Sequence, residues 1–216
     1  YDIVARFNGG PNAGHTLSVG DKSIVLHQIP SGIFYPDKEL YVGSGCVLNP
    51  EKTNLEISEI NRLGIDLEKR LFISPNVSLI QPHHILLDKL LGKAIGSTGN
   101  GIGPAYADRA LRATGQDSSD LCLKNLRVVD GLDYDKVEKV CKDNLKQVVS
   151  QYNLKEIDVD DLVRNFNFHL VKLGSYFNDD PLFLEKQVKD GKRIFFEGAQ
   201  SVMLDSDTGS VPYVTS

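Results

Sequence analysis

The stretch Gly9-Gly10-Pro11-Asn12-Ala13-Gly14-His15-Thr16-Leu17, directly after the apolar run Ile3-Val4-Ala5-Arg6-Phe7, decides how this chain is read. The run predicts a strand. Four of the six residues 9–14 are glycine or proline. They let the backbone approach a ligand closely and leave N–H groups free to face anionic oxygen. Asn12, His15 and Thr16 add an amide, an imidazole and a hydroxyl. A strand that runs into such a loop is a common way to hold a nucleotide with an acid or base beside it. Taken as spacing alone, the pattern fits a plain hairpin or bulge equally well.

Two further stretches favour the nucleotide reading. Gly96-Ser97-Thr98-Gly99-Asn100-Gly101-Ile102-Gly103-Pro104-Ala105-Tyr106 carries four glycines in residues 96–103 and is expected to open a helix at Pro104. Backbone amides at a helix start, with a threonine hydroxyl nearby, suit a phosphate group; a surface loop is the plainer alternative. Phe195-Phe196-Glu197-Gly198-Ala199-Gln200 follows the expected strand 193–196 and puts Glu197 and Gln200 where open α/β sheets deliver ligand-binding residues. The chain then closes on Pro212-Tyr213-Val214-Thr215-Ser216.

Around these motifs the pattern is α/β, a largely parallel sheet with flanking helices and a helical insert. Strands are predicted at 3–7, 23–26 (entered through a Gly20-Asp21 turn), 40–42, 71–74 and 193–196. Asn49 reads as an N-cap with Pro50 first in the helix and Gly64 closing it. A helix over 82–91 would bury Leu86, Leu87, Leu90 and Leu91. From 133 to 174 two helical stripes follow, Val137-Val140-Cys141-Leu145-Val148 and Leu162-Val163-Phe166-Leu170-Leu173, both read as core. A last helix is expected over 181–189. His83 and His84 are consecutive, so they are expected not to face one ligand and to be structural.

Composition narrows the function classes. The chain has 216 residues, 41 % of them hydrophobic, with a net charge of −5. With no Lys/Arg cluster to offset that charge, a nucleic-acid groove is excluded. Three widely spaced cysteines, Cys46, Cys122 and Cys141, fit reduced thiols in a cytoplasmic compartment and neither a zinc site nor a disulfide framework. No run of about 18 apolar residues exists, so no membrane span or membrane partner is expected.

GGPNAGHTL (9–17), LHQIPSGI (26–33), GSTGNGIGPAY (96–106), FEGAQ (196–200) and PYVTS (212–216) together resemble the adenylosuccinate synthetase family. Its members join L-aspartate to inosine monophosphate (IMP) at the expense of GTP. The likeness runs the length of the chain. It implies a P-loop-NTPase-like synthetase fold, incomplete here, with 1–216 as the central part of a single domain and 133–190 as a mainly helical subregion. The family's phosphate loop with its catalytic aspartate, its aspartate-binding loop and its guanine-recognising segment have no counterpart among these motifs. The piece alone is therefore expected to be inactive.

Carried over residue by residue, the resemblance makes His15 the general acid. It implies IMP contacts from Asn12, Ala13, Gly14, His15, Thr98, Gln200 and Thr215, and GTP contacts from Gly14, His15 and Thr16. The Gly14 carbonyl would be a ligand of Mg²⁺, the implied cofactor. Arg112 would reach the IMP phosphate of a neighbouring subunit, which implies a homodimer. Departures are few: Ser97 for threonine, Ser201 for glycine, and Asn100 where the bacterial pattern usually has arginine or lysine. The last leaves the choice of purine monophosphate open. A relative acting on dGMP is the alternative within the ligase class, and a non-catalytic nucleotide-binding or dimerisation module is the alternative outside it.

Overall fold

Four of the apolar runs assemble into one parallel sheet in a computed structural model that describes residues 1–92, 96–111 and 123–215. They are β1 (Ile3–Arg6), β4 (Glu39–Val42), β6 (Leu71–Ile73) and β8 (Ile194–Glu197), in the order β6-β4-β1-β8. Each neighbouring pair is parallel, and Val4 lies opposite both Leu40 and Phe195. Parallel neighbours need a crossover, and α1 (Pro50–Arg62) supplies the one from β4 to β6. That helix starts as its sequence predicts. Asn49 Oδ1 accepts from the Lys52 N–H, Pro50 is the first helical residue, and Gly64 follows with φ 75°.

Two small sheets flank this one. β5 (Val47–Leu48) pairs in parallel with β7 (Ser78–Leu79). β2 (His15–Val19) and β3 (Lys22–Leu26) form an antiparallel hairpin across Gly20-Asp21. Only the second arm was legible in the sequence, because His15-Thr16-Leu17-Ser18-Val19 is mostly exposed and weakly apolar. His15 therefore stands at the start of a strand and not inside a loop.

The other helices are α2 (Pro82–Leu91), α3 (Ile102–Leu111), α4 (Tyr134–Gln151), α5 (Val159–Lys172) and α6 (Phe183–Lys189). Both stripes of α4 and α5 are core: Val137, Cys141, Leu145, Val163, Phe166 and Leu170 pack in one cluster with Leu40 and Leu71 of the sheet. Each such Leu or Phe contributes about 1.5–3 kcal/mol by leaving water, so these helices seat the sheet. Two expectations change. The inner face of α2 buries Leu87 with His83, His84 and Asp88, while Leu90 and Leu91 are exposed. α3 begins at Ile102, with Pro104 in its first turn, where no intrahelical partner awaits the missing N–H. No helix among the described residues is long and apolar enough to cross a membrane.

The loops that follow β1, β4 and β8 all leave from the C-terminal edge of the parallel sheet. Ligand-binding crevices of open α/β sheets lie at that edge.

Candidate functional site

The loop after β1 is fixed from beneath and from both sides. Arg6, fully buried, donates through Nη2 to the Gly10 carbonyl at 3.5 Å. Gly9 has φ 78°, and a Cβ there would lie 2.2 Å from the Ala199 Cβ. Only glycine lets this turn lie against the loop after β8. Asn8 ties the two loops together, its Nδ2 donating to Gln200 Oε1 (3.2 Å) and its Oδ1 accepting from the Ala199 N–H (3.1 Å). On the other side the Tyr106 hydroxyl of α3 accepts from the Gly9 N–H (2.9 Å) and donates to the Gly45 carbonyl (2.7 Å).

A cleft of about 600 Å³ opens between these loops, lined in part by Asn12, Ala13, Asp88, Thr98, Gln200 and Thr215. Asn12 Nδ2 donates to Thr215 Oγ1 at 2.6 Å, joining the first motif to the last. Asn12 Oδ1 is buried with no protein partner, so an acceptor is left for a ligand's donor. Asp88, buried at the end of α2, holds both ends of the second glycine-rich loop: its carboxylate accepts from the Ser97 hydroxyl and from the Gly101 N–H (2.8 Å). Gly101 has φ 77° and would bring a Cβ to 3.0 Å from the His84 backbone.

His15, at the start of β2, is not among the residues that line the cleft. Its Nε2 is 3.4 Å from Glu197 Oε1, close but without hydrogen-bond geometry, while Glu197 Oε2 accepts from the Ser31 N–H (2.8 Å) and hydroxyl. Partial burial pushes the His15 imidazole below its ordinary pKa. The Glu197 carboxylate pulls it up, and the charges of Arg6 and His27 push it down again. A neutral ring with a free nitrogen can donate or accept a proton. Thr16, next on β2, is exposed and does not line the cleft. Gly14 has no room for a side chain: a Cβ would meet Val25 Cγ1 at 2.9 Å and His27 Nε2 at 3.0 Å. Arg112 and Cys122 lie outside the described residues.

Sequence reasoning thus brought Asn12, Ala13, Thr98, Gln200 and Thr215 to one cleft. It passed over Arg6, Asn8 and Asp88, and it placed Glu197 only at a strand end. Asn8, polar between a buried strand and Gly9-Gly10, was the one local signal; the rest depend on contacts far along the chain.

The histidine pair needs a correction. His83 Nε2 and His84 Nε2 both reach Asp108 Oδ2, at 3.0 and 2.9 Å, so consecutive residues in the first turn of α2 do converge on one group. Burial pushes both imidazoles down, His83 to about 3. Burial would raise the Asp108 carboxyl, but the two histidine hydrogen bonds outweigh it and hold Asp108 below its ordinary value. The three side chains could in principle surround a metal ion. However, His84 Nδ1 accepts from the Gln81 N–H (2.9 Å), so its proton sits on Nε2 and that nitrogen has no lone pair to give. The cluster is a structural bolt between α2 and α3. Cys46 and Cys141 are free and buried, and burial pushes the Cys46 thiol up to about 12.

The family model of adenylosuccinate synthetase matches residues 1–216. Adenylosuccinate synthetases of Chlorobaculum tepidum and Chlorobium limicola are 41 % and 42 % identical over the whole chain, which spans 49 % of each. The fully ligated adenylosuccinate synthetase of Plasmodium falciparum superposes with a TM-score of 0.83 at 31 % identity, covering the whole chain and 49 % of that structure. The succinoaminodeoxyadenylate synthetase of cyanophage S-2L, bound to dGMP and dATP, gives 0.62 at 20 % identity and shares the fold alone. The chain therefore spans about half the length of the curated relatives it matches, and over all 216 of its residues it belongs to the adenylosuccinate synthetase family of ligases.

Proposed function

We propose that the chain is the central part of a single synthetase domain that carries out GTP-dependent ligation of L-aspartate to IMP, giving adenylosuccinate, GDP and phosphate. The observation that carries this reading is the convergence of Asn12, Thr98, Gln200 and Thr215, from four separate motifs, on one cleft. Asn12, Ala13, Gly14, His15, Thr98, Gln200 and Thr215 would hold IMP. Thr98 and the backbone amides near the start of α3 suit its 5′-phosphate. Gly14, His15 and Thr16 would border the GTP phosphates, with Thr16 approached from the exposed face of the hairpin.

The reaction runs in two displacements. An aspartate of the family's phosphate loop removes the proton from N1 of IMP, and the 6-oxygen attacks the γ-phosphorus of GTP as GDP leaves. His15 donates its N–H toward the charge growing on the transferred group, and the Glu197 carboxylate, anchored by Ser31, lies 3.4 Å from that ring. The aspartate amine then displaces phosphate from 6-phosphoryl-IMP. Gly14 is exposed and carries no side chain to cover its backbone, which fits a carbonyl ligand for Mg²⁺. When bound, that ion would neutralise phosphate charge. Arg112 is proposed to complete the site of a second subunit in a homodimer, and the compartment is proposed to be cytoplasmic.

The test is turnover with IMP against dGMP in a protein of full family length containing this chain. Adenylosuccinate from IMP, with dGMP poor, is expected. A preference for dGMP would move the chain to the other ligase activity. The 216 residues by themselves are expected to make no adenylosuccinate, since the base and phosphate loop are not among their motifs.

A further inference from the structure

Asn100 lines one cleft, and its hydrogen-bond partner Thr98 lines another. Thr98 belongs to the 600 Å³ cleft; the cleft of Asn100, of 300 Å³, is lined also by Lys52 and His27. Its amide makes three hydrogen bonds. Oδ1 accepts from Lys52 Nζ, and Nδ2 donates to the Pro11 carbonyl (3.0 Å) and to Thr98 Oγ1 (2.9 Å). The chemistry of the partners forces this orientation. An ammonium only donates, so it faces Oδ1; the carbonyl of Pro11 only accepts, so it faces Nδ2. One side chain therefore ties α1, the first glycine-rich loop and the second to each other.

The consequence falls on Thr98. A hydroxyl has one proton and two lone pairs. Because Thr98 Oγ1 already accepts from Asn100, its own proton points away from that amide. No acceptor among the described residues takes it. Thr98 is exposed on the wall of the larger cleft, so the proton is left for whatever anion the cleft holds. Lys52 strengthens the arrangement. Its charge, half-buried and tied to Oδ1, draws electron density through the amide and makes the Nδ2–H groups stronger donors.

We propose that Lys52 and Asn100 form a positioning relay that turns the Thr98 hydroxyl toward the 5′-phosphate of the bound purine mononucleotide. The inference rests on the reading of the larger cleft as the IMP site. It also assigns a task to Asn100: the cation that a basic residue at 100 would bring is supplied from α1 by Lys52, one amide further away. Neither residue touches the phosphate. Both act through Thr98.

The experiment is calorimetric titration of a protein of full family length containing this chain with IMP and, separately, with inosine, which lacks the phosphate. The parent protein is expected to bind IMP more tightly than inosine. Lys52→Met and Asn100→Leu are each expected to weaken IMP about tenfold, the worth of one charge-assisted hydrogen bond, and to leave inosine unchanged. Lys52→Arg keeps a donor-only cation and is expected to keep the parent ratio. Asn100→Lys placed in the Lys52→Met background is expected to restore IMP binding. The relay is overturned if Lys52→Met and Asn100→Leu keep the parent IMP-to-inosine ratio, or if they weaken both ligands alike, as a general loosening of the loops would. If the parent protein itself shows no preference for IMP over inosine, the reading of the cleft falls and the relay falls with it.

Discussion

The turn around His15 and the contact between α2 and α3 use the same side chain in opposite ways. His83 and His84 are sealed from solvent and fixed on a single carboxylate oxygen, and the proton position of His84 is set by the backbone N–H of Gln81. His15 is a third exposed, has one loosely placed neighbour in Glu197, and keeps a nitrogen without a hydrogen bond. Burial alone does not separate the two cases, because it pushes the pKa of all three rings down. What separates them is what Nε2 does: in His83 and His84 it is bonded to Asp108 across two helices, with His83 Nδ1 left without a partner, whereas in His15 it makes no hydrogen bond. A ring bonded between two helices holds them together, and the His15 ring has no such task in the fold.

That comparison breaks first at His15. In a protein of full family length, His15→Asn is expected to lower turnover roughly 10²–10⁴-fold, the usual worth of a general acid. Its unfolding midpoint in urea should stay where it was. A large loss of stability with little loss of rate would reverse the two roles. At the other site, Asp108→Ala removes the acceptor of two buried imidazole N–H groups and is expected to cost about 3–5 kcal/mol in chemical denaturation. A cost below about 1 kcal/mol would mean that α2 and α3 are held by other contacts.

The third expectation concerns acid. A histidine in the unfolded chain takes up its proton near pH 6.5, while His83, held down to about 3, and His84, also lowered, do not. The unfolded state then binds more protons, so stability is full above about pH 6.5 and falls as the pH drops. The slope is about 1.4 kcal/mol per pH unit for each such histidine. Asp108, held ionised in the fold, adds a loss below about pH 4 as it is finally protonated. His83→Gln should remove one histidine's share of the slope between pH 6 and 4, measured by denaturant titration at each pH. An unchanged slope would show that His83 is not the group responsible.

Much of the frame was legible because it is written locally. The apolar runs of β1 and β8, the Asn49-Pro50 start of α1 and the stripes of α4 and α5 need only their own periodicity and capping chemistry. β2 was not legible, since its apolar alternation is only Leu17 and Val19 and its partner strand supplies the pairing. The inner face of α2 was misread for a related reason: Leu90 and Leu91 suggest a stripe, but Asp108, on the next helix, decides which face is buried. In the cleft, the glycine-rich stretches pointed to Asn12 and Thr98, and the family resemblance to Thr215. The brace from Asn8 to Gln200 spans 192 positions, and no local pattern marks it.

The central claim is that separate motifs make one purine-mononucleotide cleft, and amide NMR of the isotope-labelled chain during addition of IMP tests it most directly. The expected result is saturable shifts at Asn12, Thr98, Gln200 and Thr215, with His83, His84 and the α4–α5 core unmoved and inosine giving weaker effects at Thr98. Shifts confined to other surfaces, or none at millimolar IMP, would contradict the account.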